Sequence, residues 1–479
     1  MGIGGQALIV GVGGLGGSAA LTLASAGVGR LVLLDHERVG PSDLGRSALL
    51  GTDDIGAPRA GAAAARLGTL FPKVEVVAED RRLAPAEALG RFSGAGVVLA
   101  AVEEPALQFL AGVAALRAGV PVVHAGALRT TAQLLTVRPG GAGACLFCLF
   151  EEPPTEGELP TAQRVGVLGP VSTLAGALLG AEALRLLAGE HGAYEGRLLT
   201  LELRSGSARS VAVPRRASCR ACAPLVTGTG PVAAGPTTSG EGLPSTAAIG
   251  HPERPRPTDG SAAISAQLLV PGLGEGQPRL AQARVRVIGA GPSAAPALLS
   301  LAQAGVGLLW IDDPTEGSVD PPGWLHHPAA ATQRGKGAAA SLSTLRASAA
   351  AAPYPTGGVP TATLVCAPTV TEALAAAEQA RRAGVLHVVM ERDADGGSVV
   401  VVPPGAPCYA CARSASTAWR PWQPAGAALA CLAAAELVMG IALPSPVGVR
   451  VDLARGVPTV RTTTRLAGCS CAAAKAVAR

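Results

Sequence analysis

Gly11, Gly13, Gly14 and Gly16 form a Gly-x-Gly-x-x-Gly run, and Asp35 follows 19 residues after Gly16. That spacing suits a nucleotide. The first glycine permits a tight turn, the second lets phosphate approach the backbone, and the third lets helix pack on strand. The helix that follows turns its N-terminus toward the phosphates, and Asp35 would accept from ribose hydroxyls. Alone, the motif leaves NAD and ATP both open. Downstream residues bear on the choice. "DHERVGPSDLGRSALL" puts Asp43 and Arg46 just beyond Asp35, "IGAPRAGAAAARL" puts Arg59 at a helix start, and "VVLAAVEEPALQF" puts Glu103 and Glu104 after a fourth strand. Hydride transfer needs no convergence of cations on a phosphate tail. Nucleotidyl transfer does, because charge must be neutralised as pyrophosphate leaves, and an acid near those cations can hold Mg²⁺. The plainer reading has Arg46 and Arg59 solvated and the two glutamates capping a helix.

Cysteine spacing suggests metal chemistry. Cys145-x-x-Cys148 and Cys219-x-x-Cys222 are separated by 70 residues and have the composition of a tetrahedral Cys₄ zinc site with a structural role. Cys408-x-x-Cys411 and Cys469-x-Cys471 look like a counterpart, although the one-residue spacing of the last pair strains tetrahedral ligation. Cys366 and Cys431 lie in apolar runs and read as core residues.

The elements that must carry these residues occur twice. "ALIVGVGG" at 7–14 returns as "VRVIGAGP" at 285–292, and "ASAGVGRLVLLD" ending at Asp35 returns as "AQAGVGLLWIDD" ending at Asp313. The Arg59 segment returns around Lys336, and the cysteine pairs return in order. In each copy, buried apolar runs alternate with Ala-rich helical stretches. That pattern means parallel βαβ units, and later segments with alternating polarity extend the sheet in antiparallel fashion. Pro, Gly, Ser and Thr dominate the segment between the copies, which reads as a linker. The expected organisation is 1–223, a linker 224–260, and 261–479.

Composition narrows the function classes. Charged residues are 15% and the formal charge is +5, small for 479 residues, with no basic run interleaved with aromatics; nucleic-acid binding has little support. No signal-peptide pattern opens the chain. Two long apolar stretches contain Glu182 with Arg185 and Glu436, and read as buried helices rather than membrane spans. The expectation is a cytoplasmic protein without membrane or nucleic-acid partners.

"GVGGLG", "LLDHERVGPSDLGR", "DDIGAPRAGAAAARL", "CLFC", "VGVLGPVSTLAGALLGAEALRLLAG" and "CRAC", in that order, resemble the ThiF/MoeB/HesA adenylyltransferases, relatives of the ubiquitin-activating enzymes. The resemblance extends to both copies. It implies an α/β fold of two tandem Rossmann-like adenylation domains arranged as an intramolecular pseudodimer. It implies ATP-dependent adenylation of the C-terminal glycine of a small ubiquitin-like or sulfur-carrier protein ending in Gly-Gly. A sulfur donor is a further partner, and ATP, Mg²⁺ and structural Zn²⁺ are the cofactors. On that reading Gly11, Gly13, Gly14 and Gly16 hold the nucleotide and Asp35 the ribose. Asp43 belongs to the same nucleotide-binding set, Arg46 and Arg59 contact phosphates, and Glu103 takes the Mg²⁺ position.

Several positions depart from the family pattern. Asp43 replaces the usual Asn, Arg59 the usual Lys, and Glu103 the usual Asp, while Phe109 stands where a polar residue is common. Ala162 occupies a position often held by a thioester-forming Cys, so an outside nucleophile would have to capture the adenylate. The second copy has lost the third glycine, carries Pro292 in its loop, and has "WLHHP", with its His326–His327 pair, in place of the Arg segment. It reads as a degenerate partner. It alone carries the family's N-terminal arm, with Ala266 at the arm's Arg position. These departures keep open a non-catalytic scaffold that binds a precursor peptide or carrier protein. An NAD-dependent oxidoreductase is disfavoured by the cysteine pairs and "DLGR".

Overall fold

The structure, a computed structural model, describes residues 4–223 and 262–471, less 142, 156–157, 316–323, 326–333, 346–349, 368, 394–395, 414–425, 444–447, 455–456, 465–468 and 470. The linker 224–260 and the pair His326–His327 lie outside the described residues.

The apolar runs of the first copy become β1 (Gln6–Val10), β2 (Arg30–Asp35), β3 (Glu75–Asp80), β4 (Val97–Ala100), β5 (Val122–Leu128), β6 (Thr131–Val137), β7 (Arg197–Glu202) and β8 (Ser207–Ala212). Between them run α1 (Gly14–Ser25), α2 (Arg59–Leu70), α3 (Pro85–Phe92), α4 (Pro105–Arg117) and α5 (Gly169–Leu187). The strands join in one sheet in the order β3-β2-β1-β4-β5-β6-β7-β8. The first five are parallel, and β6 to β8 continue antiparallel. Ligands of open α/β sheets sit at the carboxyl ends of the strands where the order reverses, here between β1 and β4.

The second copy gives β9 (Arg284–Ile288), β10 (Leu308–Asp312), β11 (Ala350–Pro353), β12 (Ala362–Val365), β13 (Leu386–Asp393), β14 (Gly396–Val402), β15 (Val449–Ala454) and β16 (Val457–Thr462). Its helices are α6 (Leu273–Gln282), α7 (Ala295–Gln303), α8 (Arg334–Leu345), α9 (Val370–Arg382) and α10 (Gly426–Ala442). The strand order, β11-β10-β9-β12-β13-β14-β15-β16, repeats that of the first sheet.

Both long apolar stretches are buried helices. α5 is long and apolar enough to cross a membrane, yet 83% of its apolar window is buried in the protein. It packs on α1 within its own copy and on α10 of the other. Thr173 on α5 donates to Gln303 of α7 at 2.9 Å across this contact. The second copy's arm also reaches the first: the Val167 amide donates to the Ala266 carbonyl at 3.1 Å. A Cβ on Gly45 would stand only 2.0 Å from the carbonyl oxygen of Ala263, so the arm fits there only because residue 45 is glycine.

The two copies treat one buried acid differently. Glu182 on α5 accepts from Thr136 Oγ1 at 2.6 Å and from the amides of Ala193 and Tyr194 at 3.0 and 3.1 Å. Glu436, at the matching place on α10, has Oε1 buried with no partner among the described residues. Burial, reinforced by Glu202, pushes its carboxyl up to about 8. An acid whose folded pKa is raised supplies its full stability below its unfolded value and loses it as pH rises through the folded value. Glu436→Gln should therefore raise unfolding free energy by roughly 2–4 kcal/mol near pH 8 and change it little near pH 5. Glu182→Ala should cost roughly 1–3 kcal/mol throughout. Urea denaturation at the two pH values checks both.

Candidate nucleotide site

The glycine run forms the turn between β1 and α1. Gly11 has φ +88°, and a Cβ on Gly16 would lie 1.8 Å from the Gly11 carbonyl oxygen, so any side chain there would push α1 away from the turn. A Cβ on Gly13 would meet nothing within 4 Å; that backbone faces open space. Asp35 accepts from the Val12 amide at 2.7 Å and the Glu37 amide at 2.8 Å, tying β2 to the glycine turn. Burial raises its carboxyl above the ordinary value against the pull of those two amides and Arg59.

Asp43 is the best-buried charge of the site, with no exposed surface. It accepts from the Gly40 amide at 2.9 Å and from Arg46 Nη2 at 3.1 Å. Arg59 binds it in a fork, Nε and Nη2 each at 3.0 Å. Arg46 also donates through Nη1 to Glu103 at 2.5 Å, and Arg59 Nη1 lies 2.6 Å from Glu37 and 4.0 Å from Asp35. Burial disfavours the charge on Arg46, but Glu103 and Asp43 outweigh it and hold its pKa above the usual guanidinium value. Both arginines are about nine-tenths buried, so neither is the solvated surface cation of the plainer reading. Glu104 does stand at the N-terminal boundary of α4, but its side chain makes no cap there and pairs with Arg82.

One cleft at the carboxyl ends of β1 and β4 is lined by Gly11, Gly13, Gly14, Asp35, Arg46, Arg59 and Glu103. Asp43 does not line it. It lies behind both arginines, with each of its oxygens engaged by donors. Gly16 does not line the cleft either; it packs α1 against the turn. Glu37, Arg81 and Gln163 line the cleft although no motif singled them out. Gln163 follows Ala162, itself buried, in the one-turn helix Ala162–Val165. The floor is stitched by Gln108, whose Nε2 donates to the carbonyls of Val102 and Ala100 at 2.8 and 3.2 Å. Its Oε1 meets Nδ1 of His124 at 2.8 Å, and burial depresses that imidazole to about 4, so it is neutral near pH 7.

The cysteines converge in two groups whose ligand atoms all lie within 4.8 Å of one another. In the first, Cys145 and Cys219 sulfurs are 3.6 Å apart and those of Cys148 and Cys222 3.5 Å. In the second, Cys408 and Cys469 stand at 3.5 Å and Cys411 and Cys471 at 3.6 Å, so the single residue between Cys469 and Cys471 does not prevent convergence. A tetrahedral ion with Zn–S of ~2.3 Å places its sulfurs about 3.8 Å apart; both groups are within reach of that geometry. Phe109 packs edge-on against Phe147, centroids 4.8 Å apart, joining α4 to the first group. Cys366 and Cys431 are buried apart from both groups.

Residues 5–221 match the model of the ThiF family. The "Adenylyltransferase and sulfurtransferase MOCS3" of Bos taurus is 39% identical over 216 residues, 45% of this chain and 47% of that protein. The chain thus spans about half the length of this relative. The "Sulfur carrier protein adenylyltransferase" of Thermus thermophilus is 34% identical over 219 residues, 45% of this chain and 81% of that protein. A solved structure, "Crystal structure of E. coli MccB + ATP", aligns over 46% of this chain and 67% of its own at 20% identity and a TM-score of 0.41.

Asp43→Ala would leave two buried guanidinium groups without their shared partner. The expected cost is roughly 3–5 kcal/mol of stability, read as a lower urea midpoint.

Proposed function

Because this chain belongs to the ThiF family, we propose that its first domain, residues 1–223, adenylates the C-terminal glycine of a ubiquitin-like or sulfur-carrier protein with ATP. The observation that carries this reading is the convergence of Arg46, Arg59 and Glu103 on the glycine turn in one cleft. The site fits a triphosphate: Gly13 faces open space, and Arg46 Nε is a buried donor without a partner. The glycine carboxylate, ionised near pH 7, attacks the α-phosphorus. The new C–O–P linkage forms as the bond to the bridging oxygen breaks, and pyrophosphate leaves with the electron pair. No general base is needed, so the chain's residues bind and neutralise. Asp35 accepts from the ribose, Arg46 carries the phosphate charge, and Arg59 sits between Asp35 and Asp43 on the ribose side. Mg²⁺, held by Glu103, would neutralise the leaving phosphates.

Ala162 leaves no thiol beside Gln163, so the adenylate passes to an outside thiol, sulfide or amine. The second domain, residues 261–479, acts as a degenerate partner in an intramolecular pseudodimer, its arm laid against Gly45 and Val167. The two cysteine groups hold structural Zn²⁺. The alternative is a non-catalytic scaffold for a precursor peptide or carrier protein. One observation favours it: both site arginines are already paired with acids.

The test is carrier-dependent exchange of labelled pyrophosphate into ATP, run with small proteins ending in Gly-Gly. Exchange is expected and should fall at least a hundredfold in Arg46→Ala, in line with loss of one charge-stabilising donor. No exchange and no ATP binding by calorimetry would refute the enzyme reading. Undiminished exchange in Arg46→Ala would refute the site assignment.

A further inference from the structure

Gln163 brings the single side-chain amide among the residues that line the first-copy cleft. It also comes from the farthest point of the chain, since the other lining residues lie between Val10 and Leu107. Its neighbour Ala162 is 2% exposed and packs inward. Gln163 is exposed, and no described residue engages its side-chain amide. The charged groups around it are already committed: Arg46 holds Asp43 and Glu103, and Arg59 holds Asp43 and Glu37. An uncommitted neutral donor has a separate use in such a cleft, because it can meet an incoming anion without first giving up an acid.

Close backbone contacts fix the end of the cleft at which Gln163 enters. A Cβ on Gly14 would lie 2.7 Å from the Arg46 carbonyl oxygen and 3.1 Å from Ser172 Cβ, so the glycine turn, Arg46 and the first turn of α5 meet at one place. A Cβ on Gly169, which opens α5, would lie 1.9 Å from the Gly45 carbonyl oxygen. The residues between Gln163 and Gly169 are pinned. The Gly166 carbonyl accepts from the Arg129 amide at 2.8 Å, and the Leu168 amide donates back to the Arg129 carbonyl at 2.8 Å. The second copy secures the same stretch: the Val167 amide donates to the Ala266 carbonyl at 3.1 Å, and a Cβ on Gly166 would stand 2.4 Å from that oxygen. Gln163 therefore comes in on the side of the glycine turn and Arg46. Asp35, Glu37 and Arg59 form the other side, joined by their own ion pairs.

We propose that Gln163 is a further substrate-contacting residue of this cleft and receives the terminal glycine unit of the substrate. A peptide's last glycine offers one N–H donor and, next to it, a carboxylate acceptor. A primary amide offers the complementary acceptor and donor. Oε1 accepts from the glycine N–H, and Nε2 donates to the carboxylate oxygen that does not attack phosphorus. That oxygen becomes the carbonyl oxygen of the acyl-phosphate anhydride and keeps its donor, and Gln163 neither gains nor loses a proton. The inference rests on the adenylation reading and extends it to the acyl end. The arm of the second copy, which supplies Ala266, then helps to position a residue that touches substrate.

The test is calorimetry on the full chain with two probes: AMP, and 5′-O-[N-(glycylglycyl)sulfamoyl]adenosine, a stable stand-in for the acyl-adenylate. The unaltered chain should bind the analogue more tightly than AMP. Gln163→Ala should weaken the analogue by roughly tenfold or more, as expected for a lost hydrogen bond to a charged group, and should leave AMP within about twofold. Gln163→Glu keeps the shape, removes the donor and adds a like charge, so its loss should be at least as large and again confined to the analogue. Exposure of Gln163 makes both variants compatible with folding. Undiminished binding of the analogue in both variants would overturn the proposal, and so would equal losses for analogue and AMP, which would mark a merely structural role. If the unaltered chain binds neither probe, the adenylation reading itself fails and this inference falls with it.

Discussion

The carboxylate of Asp43 is the constraint on which the nucleotide site depends. It is fully buried and joins two arginines that approach from different segments: Arg46 from the turn after β2, Arg59 from the first residue of α2. Two guanidinium groups a few ångströms apart repel strongly in a low-dielectric setting. A single shared anion removes that repulsion and fixes both orientations before any ligand arrives. Arg59 meets Asp43 through both Nε and Nη2. A planar fork meets a carboxylate with two bonds, which a lysine ammonium cannot do. Glu103 completes the arrangement, reaching Arg46 at 2.5 Å.

The same sheet order occurs twice, yet the charges are distributed differently. In the first copy, cations gather at the glycine turn and are satisfied by acids. In the second, Asp313 keeps the role of Asp35, accepting from the Ala290 amide at 2.7 Å, but Lys336 is exposed. The contact between the copies is made by α5 against α10 and by the arm at Ala263–Ala266. That arm touches the segment carrying Asp43 and Arg46, so the second copy braces the site.

Much of this was legible in the sequence, because it rests on local rules. The turn between β1 and α1, the strand ending at Asp35 and the helix starting at Arg59 follow from glycine spacing and hydrophobic period. The cysteine groups follow from pair spacing. What was not legible depends on tertiary placement. Nothing local distinguishes Asp43 as a buried anchor from Asp43 as a ligand contact, since both put an acid two residues before Gly45. Glu37 reaches the cleft from a loop and Gln163 from a one-turn helix, neither of which carries a periodic signal. The short helix α3, between β3 and β4, was missed because its eight residues span little more than two turns.

The central proposal is that nucleotide binds to the first copy alone. Equilibrium dialysis of the full chain with labelled ATP and Mg²⁺ measures this most directly. It should give one ATP per chain, and none in Arg46→Ala. Two ATP per chain, or one that survives Arg46→Ala, would contradict it.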